Sequence, residues 1–186
     1  MLKTNHIAIL VRDIDAVSSV LPDGCTLHAP EDQPTEGTRE RYVTVGDEDT
    51  PSLLLMQAIA NGPYSRALQK RGPGLHHVGC VCADIESEIT KGNTGRLLLH
   101  PISLRTRKSG VVWLCRPGVP YLVELMENPE WSAKSYGKAV IRLPVGTVIP
   151  QFAYALSTNL TIETGSSPAI GLRLGRMEIS FDPQMG

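Results

Sequence analysis

The sequence has no excess of charge of either sign, no long apolar run and few cysteines, and each lack narrows what the protein can do. Lysine and arginine number 18 against 19 aspartates and glutamates, a formal charge of −1, with no block of like charges. A nucleic-acid partner or an anionic membrane surface calls for a basic patch, so composition argues for neither. No stretch approaches the roughly 18 apolar residues that a membrane span needs. The opening MLKTNHIAIL runs straight into a strand pattern. A cytoplasmic protein is therefore expected. The four cysteines agree. Cys80 and Cys82 alternate with Gly79 and Val81 on one strand face, and this C-x-C has no second pair to complete a zinc site. Ordinary buried thiols in a reducing compartment are the expected state.

What the sequence does have is a copy of itself. His6-Ile-Ala-Ile-Leu-Val-Arg-Asp13-Ile14-Asp15 returns as His77-Val-Gly-Cys-Val-Cys-Ala-Asp84-Ile85-Glu86, an offset of 71 residues (77 − 6). Continued without a gap, that offset sets Tyr42–Asp47 on Trp113–Gly118 and Leu53–Met56 on Glu124–Glu127. A repeat of this length signals two copies of one supersecondary unit that bury their apolar faces together. With 186 residues, 41% of them hydrophobic, the chain can bury a core, and one domain plus an appendage is the default.

Within the first copy, 4–12 reads as a buried strand, Asp13 caps a helix over about 14–21, and Pro22-Asp23-Gly24 ends it. A weakly patterned stretch runs to Gly37. Arg39–Val45 and Ser52–Ile59 read as strands joined by a polar turn. Pro63 opens a short helix, Tyr64–Arg71, that Gly72-Pro73-Gly74 stops. The second copy gives a strand over 75–82, a helix from Asp84 to about Lys91, and strands near 96–99, 110–116 and 120–127. Each unit is thus strand, helix and three strands. Residues 129–186 have no counterpart, although Lys138–Pro144, Phe152–Thr164 and Ile170–Phe181 look strand-forming. A cover, an edge extension and an oligomer arm all remain open for them.

The Asn5-His6-Ile-Ala opening, the Arg71-Gly-Pro-Gly-Leu-His76-His77-Val linker, the Asp84-Ile85-Glu86 helix start and Leu122-Val-Glu124-Leu resemble the vicinal oxygen chelate (glyoxalase/bleomycin resistance/dioxygenase) superfamily. Within it the similarity is greatest to the methylmalonyl-CoA epimerase-like branch. The likeness covers about 4–128. It implies an α+β fold in which two paired βαβββ modules, 4–59 and 75–128, enclose a metal-centred cavity within a domain 1–128. Residues 129–186 then form a β-rich C-terminal extension. It also implies a homodimer, a small-molecule substrate and a divalent metal ion, with Co, Ni, Mn, Zn and Fe all open.

Carried over by position, the four ligands expected in such proteins fall on His6, position 53, His77 and Glu124. Position 53 is Leu53, which removes one donor and makes that part of the cavity wall apolar. His6, His77 and Glu124 remain as a two-histidine, one-carboxylate set that leaves coordination positions for substrate. Gln57 is a fallback fourth ligand that needs a register slip, being about 13 Å along the strand from Leu53 at the usual rise. His76 is expected to point away from His77 and to be structural, or to hydrogen-bond from behind; His28 and His100 are expected to be solvated or capping.

For proton transfer the resemblance points to a carboxylate on the first module's third strand, and Glu40 is the nearest match, with an exposed charge between Arg39 and Arg41 as the alternative. Glu124 is a second candidate. Arg105, Arg107 and Lys108 lie in the loop before a late strand, where they would hold a substrate carboxylate or phosphate, or simply be solvated. Glu127 and Glu130 look like surface residues. The implied activity is a metal-dependent isomerase or lyase of small carbonyl acids or thioesters, working through a metal-stabilised enolate. Two alternatives stand beside it: a non-haem Fe(II) dioxygenase built on the same three ligands, and a non-catalytic binder whose metal site has been lost.

Overall fold

A computed structural model describes residues 2–90, 96–130, 137–151, 153 and 156–182. The first repeat unit comprises β1 (Lys3–Val11), α1 (Ile14–Ser18), β2 (Cys25–Leu27), β3 (Glu31–Gln33), β4 (Thr38–Val45) and β5 (Ser52–Ala58). Helix α2 (Pro63–Arg71) leads into the second unit. This contains β6 (Gly74–Cys82), α3 (Ile85–Thr90), β7 (Leu98–Leu99), α4 (Ser103–Thr106), a 3₁₀ turn (Arg107–Ser109), β8 (Val111–Cys115) and β9 (Leu122–Glu127). Four strands follow: β10 (Ala139–Leu143), β11 (Leu160–Thr164), β12 (Ile170–Leu174) and β13 (Met177–Phe181).

The large sheet runs β2-β4-β5-β1-β6-β9-β8-β7, with β3 added on β4. The order is the same read outward from its centre in either direction. β1 and β6 meet there antiparallel, and each is flanked by a parallel partner, β5 or β9. The two units therefore pair within one chain. Helix placement repeats too. Asp13 accepts from the amides of Asp15 and Ala16 at the start of α1, and Asp84 accepts from Ser87 at the start of α3. Gln57 Oε1 accepts from Ile14 N–H at 3.1 Å, and Glu127 Oε2 from Ile85 N–H at 3.2 Å.

Alternation along the strands separates two faces. Ile7, Ile9 and Val11 of β1, Leu53 and Leu55 of β5, and Val78, Cys80 and Cys82 of β6 share one core with Ile141, Leu143, Leu172 and Leu174 of the second sheet, β11-β10-β12-β13. The C-terminal segment is therefore a second layer over the first sheet. Ile7, Ile9, Leu53 and Leu55 are each at most 1% exposed. Uncovering them would cost about 1.5–3 kcal/mol apiece, which together rivals the whole stability of a typical domain. The other face carries Ala8, Leu10, Leu54 and Met56, on which Tyr64, Ala67 and Leu68 of α2 pack.

The differences from the sequence reading have local causes. Helix α1 stops at Ser18 rather than near residue 21, where Ser18 and Ser19 hydroxyls turn back to the carbonyls of Ile14 and Ala16. The weakly patterned stretch holds β2 and β3, edge strands exposed enough to need no alternation. The strand near 96–99 shrinks to Leu98–Leu99, and the helical turns over Ser103–Ser109 have no periodic signal in so short a span. Ile170–Phe181 is a hairpin, reversing at Gly175, whose φ of 58° favours glycine. Among the described residues of 152–164, Leu160–Thr164 is strand; Phe152, Tyr154, Ala155 and the expected helix end at Lys91 lie outside the described residues.

Candidate metal centre

The centre forms on the α2 side of the sheet, where β1, β6 and β9 lie side by side. In register, His6 stands opposite Gly79, and Gly79 opposite Glu124. His77 stands opposite Ala8. Histidines thus alternate with the two smallest residues across the central pair, and the glycine is obligatory: a Cβ on Gly79 would overlap the His6 ring. With that space open, His6 Nε2 lies 2.9 Å from His77 Nε2 and 3.4 Å from Glu124 Oε2, and His77 Nε2 lies 3.7 Å from Glu124 Oε2.

Burial controls the charge of all three. It lowers the pKa of His6 to about 4 and pushes that of His77 well below the ordinary value, with His6 and His76 adding to the effect at His77. Both imidazoles are neutral at neutral pH, the form that ligates a metal. Burial also raises Glu124 to about 7, helped by Glu36 and Glu40. A half-buried carboxylate beside two lone-pair nitrogens is an arrangement that a cation relieves. The three ligand atoms lie within 4.8 Å of one another, and two imidazoles with one carboxylate suit a divalent first-row ion. The residues present fit such an ion.

The surrounding cavity is lined by Gln33, Glu36, Glu40, Tyr42, Leu54, Met56, Tyr64 and Trp113. Glu40 therefore faces the centre rather than open solvent. Its carboxyl accepts from Thr38 Oγ1 at 2.9 Å and is raised first by burial and then by Glu36 and Glu31. Tyr64 donates to Glu36 at 2.9 Å, and its phenol is raised by burial and that carboxylate. Trp113 packs edge-on to His77 and Tyr42 edge-on to His6. The sequence reading missed these aromatics, although the offset of 71 had aligned Tyr42 with Trp113.

Other expected site residues sit elsewhere. Leu53 is not in the cavity wall; it lies in the core beneath the second sheet, on the opposite face of β5. Leu54 takes that place, because Ala8 pairs with Leu54 as Gly79 pairs with Glu124, and Tyr42 with Leu54 as Trp113 with Glu124. The offset falls to 70 there. Nine residues separate Val43 from its partner Leu53, but eight separate Leu114 from Val123, so the first hairpin is one residue longer. A slip of one residue turns a strand over. The fourth ligand position is still a leucine, now Leu54, 3% exposed.

Gln57 caps α1 instead of approaching the centre. Arg105, Arg107 and Lys108 are exposed around α4 and do not line this cavity, and Arg107 pairs with Glu86 through Nε at 2.6 Å. His76 does not point away from His77; their Nδ1 atoms are 2.9 Å apart. His28 meets Thr44, and His100 accepts from Ile102 N–H. Glu127 and Glu130 are both exposed, and Glu127 also accepts from Ile85 N–H at the start of α3. Cys80 and Cys82 are buried free thiols, raised by burial to about 12 and about 11. Among the described residues no helix is long and apolar enough to cross a membrane.

Comparison with solved structures shows where this architecture recurs. A hypothetical protein from Bacillus halodurans C-125 superposes with a TM-score of 0.52 at 23% identity, covering 72% of this chain and 99% of the other. Methylmalonyl-CoA epimerase from Mycobacterium tuberculosis does so with a TM-score of 0.52 at 22% identity, covering 70% and 91%. A methylmalonyl-CoA epimerase in complex with methylmalonyl-CoA and NH4+ gives 0.53 at 19% identity, covering 70% and 96%. At such identities the likeness is one of fold. No curated protein matches the chain by sequence. Residues 5–93 match the Glyoxalase/Bleomycin resistance protein/Dioxygenase superfamily, and the chain carries a domain of that superfamily.

Proposed function

We propose that this domain is a metal-dependent isomerase or lyase that moves a proton beside the carbonyl of a small acid or thioester. The observation that carries the reading is the convergence of His6, His77 and Glu124 in a cavity that also holds Glu40. A divalent ion held by the three ligands would supply Lewis acidity to the carbonyl oxygen. Glu40 takes the proton from the adjacent carbon as the C–H electrons move toward that oxygen, and it later returns the proton to carbon. Its raised pKa brings base and acid forms closer in energy near neutrality, which suits transfer in both directions. Tyr42, Trp113 and Leu54 line the cavity beside Glu40 and give it an apolar wall. The fold shared with methylmalonyl-CoA epimerases supports this class of substrate.

A second reading has an observation of its own. Two histidines and one carboxylate, with a leucine at the fourth place, also make the facial set of non-haem Fe(II) oxygenases. Elemental analysis of wild-type protein beside His77→Ala, together with solvent deuterium exchange into methylmalonyl-CoA and simpler α-acidic thioesters, separates the two. Near-stoichiometric metal lost in the variant, with exchange that falls about 10²–10⁴-fold in Glu40→Gln while metal is kept, is expected. Iron with oxygen uptake and no exchange would favour the oxygenase. A wild-type protein that refuses added divalent ions would overturn both and leave an apolar-ligand binder.

A further inference from the structure

Each histidine of the centre is preceded by a residue that the central strand pair leaves out. Thr4 pairs with Cys80 and His6 with Gly79, so Asn5 is an extra residue in β1; Ala8 pairs with His77 and Ile9 with Leu75, so His76 is an extra residue in β6. Asn5 and His76 are also 71 residues apart (76 − 5), so the repeat duplicates the bulge along with the histidine. In a regular strand, neighbouring side chains point to opposite faces, whereas a bulge re-aims one of them. Both bulged side chains accordingly reach the Nδ1 of the following histidine. Asn5 Oδ1 lies 3.1 Å from His6 Nδ1, and His76 Nδ1 lies 2.9 Å from His77 Nδ1. The ring of Tyr64, 4.9 Å away and tilted by 33°, backs the His76 ring.

The two partners differ in what they permit. An amide oxygen only accepts, so Asn5 keeps the proton of His6 on Nδ1 and leaves its Nε2 as a lone pair toward the centre. An imidazole nitrogen either donates or accepts, so His76 allows His77 both tautomers. The 2.9 Å contact at Nδ1 leaves the His77 ring one nitrogen, Nε2, directed at His6 and Glu124. A divalent cation at the three ligands would take His77 through that Nε2, with Nδ1–H donating to His76.

We propose that Asn5 and His76 are positioning residues of the metal centre: each, set forward by its bulge, hydrogen-bonds the Nδ1 of the following histidine and orients that imidazole with Nε2 toward the other ligands. The inference rests on the metal reading given under the proposed function. Its test is a long-range ¹H–¹⁵N correlation spectrum of histidine-labelled full-length protein, first chelator-treated and then with Zn(II). With Zn(II) bound, His6 and His77 are both expected as Nδ1–H. In parallel, Asn5→Ala and His76→Phe (which keeps a ring against Tyr64) should each weaken Zn(II) binding about 10–100-fold. His76→Gln, which retains a donor and an acceptor, should stay within a few-fold of wild type.

Zn(II)-bound protein in which His6 or His77 ligates through Nδ1 overturns the placement of Asn5 and His76 behind the ligand nitrogens. Variants that lose thermal stability but keep wild-type Zn(II) affinity overturn the positioning role. Wild-type protein that takes no Zn(II) sinks the metal reading on which the positioning role rests.

Discussion

Replacing Glu124 with glutamine should make the metal-free protein more stable while removing its grip on metal. The carboxyl is 15% exposed and its pKa is raised from the ordinary 4.5 to about 7, chiefly by burial. Each pKa unit is worth about 1.4 kcal/mol, so the span amounts to roughly 3 kcal/mol. The sign follows from which state holds the proton. Below 4.5 the group is protonated both folded and unfolded, and the shift has no effect on stability. Between 4.5 and about 7 the unfolded chain releases the proton that the folded one retains, so wild-type stability falls as pH rises. Above about 7 the full penalty is present. Glu124→Gln has nearly the same shape and no charge, so it escapes up to about 3 kcal/mol of that penalty, less whatever its buried amide leaves unpaired. Urea unfolding of both proteins in chelator, at steps from about pH 4 to about pH 8, measures the difference directly. The buried imidazoles titrate in both and largely drop out of the comparison. The expected difference is near zero at the acid end and grows to a plateau above neutrality. With Zn(II) present its sign should invert, because only the wild type then gains binding energy. Parallel curves for the two proteins in chelator would refute the placement of Glu124 in a buried, cation-poor centre.

The remaining predictions probe what holds the centre in place. Gly79→Ala puts a methyl group into the space of the His6 ring, so metal per chain should fall toward zero in a protein whose circular dichroism stays native; unchanged metal content would contradict the packing. Leu54→Gln adds a donor to the cavity wall and should tighten metal binding, whereas Leu53→Gln buries an unpaired amide in the core and should cost about 2–4 kcal/mol without touching affinity. Metal titration and urea unfolding of the pair decide between the two registers, and the reverse pattern would restore the unbroken offset. Asn159 accepts from Thr4 N–H at 2.7 Å and donates to the Thr4 carbonyl at 3.0 Å, bridging the C-terminal layer to β1 beside the Asn5 bulge. Asn159→Ala should destabilise by about 2 kcal/mol, read from the urea midpoint.

How much of this was visible in the sequence depends on what each feature is made of. The repeat exposed the paired units and the two histidines, because hydrophobic alternation and a recurring His-x-x-x-x-x-x-Asp segment are carried by side-chain identity. Glu124 came with the superfamily likeness. The location of Leu54 did not, for a backbone reason: one extra residue in the first hairpin changes the offset from 71 to 70, and four consecutive apolar residues, Leu53–Met56, look the same whichever of them faces the cavity. Polar residues would have marked the register; a run of leucines hides it. The bulges were hidden in the same way. Nothing in Asn5-His6 or His76-His77 signals that β1 and β6 each leave a residue unpaired, and regular alternation wrongly sent His76 to the far face.

The second sheet shows the converse limit. Its strands were partly legible, but their task was not, since covering Ile7, Ile9, Leu53 and Leu55 depends on residues distant in sequence, Leu55 and Ile141 being 86 apart (141 − 55). That task bears on the centre. The face opposite the histidines is as apolar as the interior of any sheet covered on both sides, so β1 and β6 are clamped between the C-terminal layer and α2. Two strands held on both faces can keep a bulged residue ahead of each histidine in one geometry. The extension thus contributes rigidity to the ligand set without lending it a ligand.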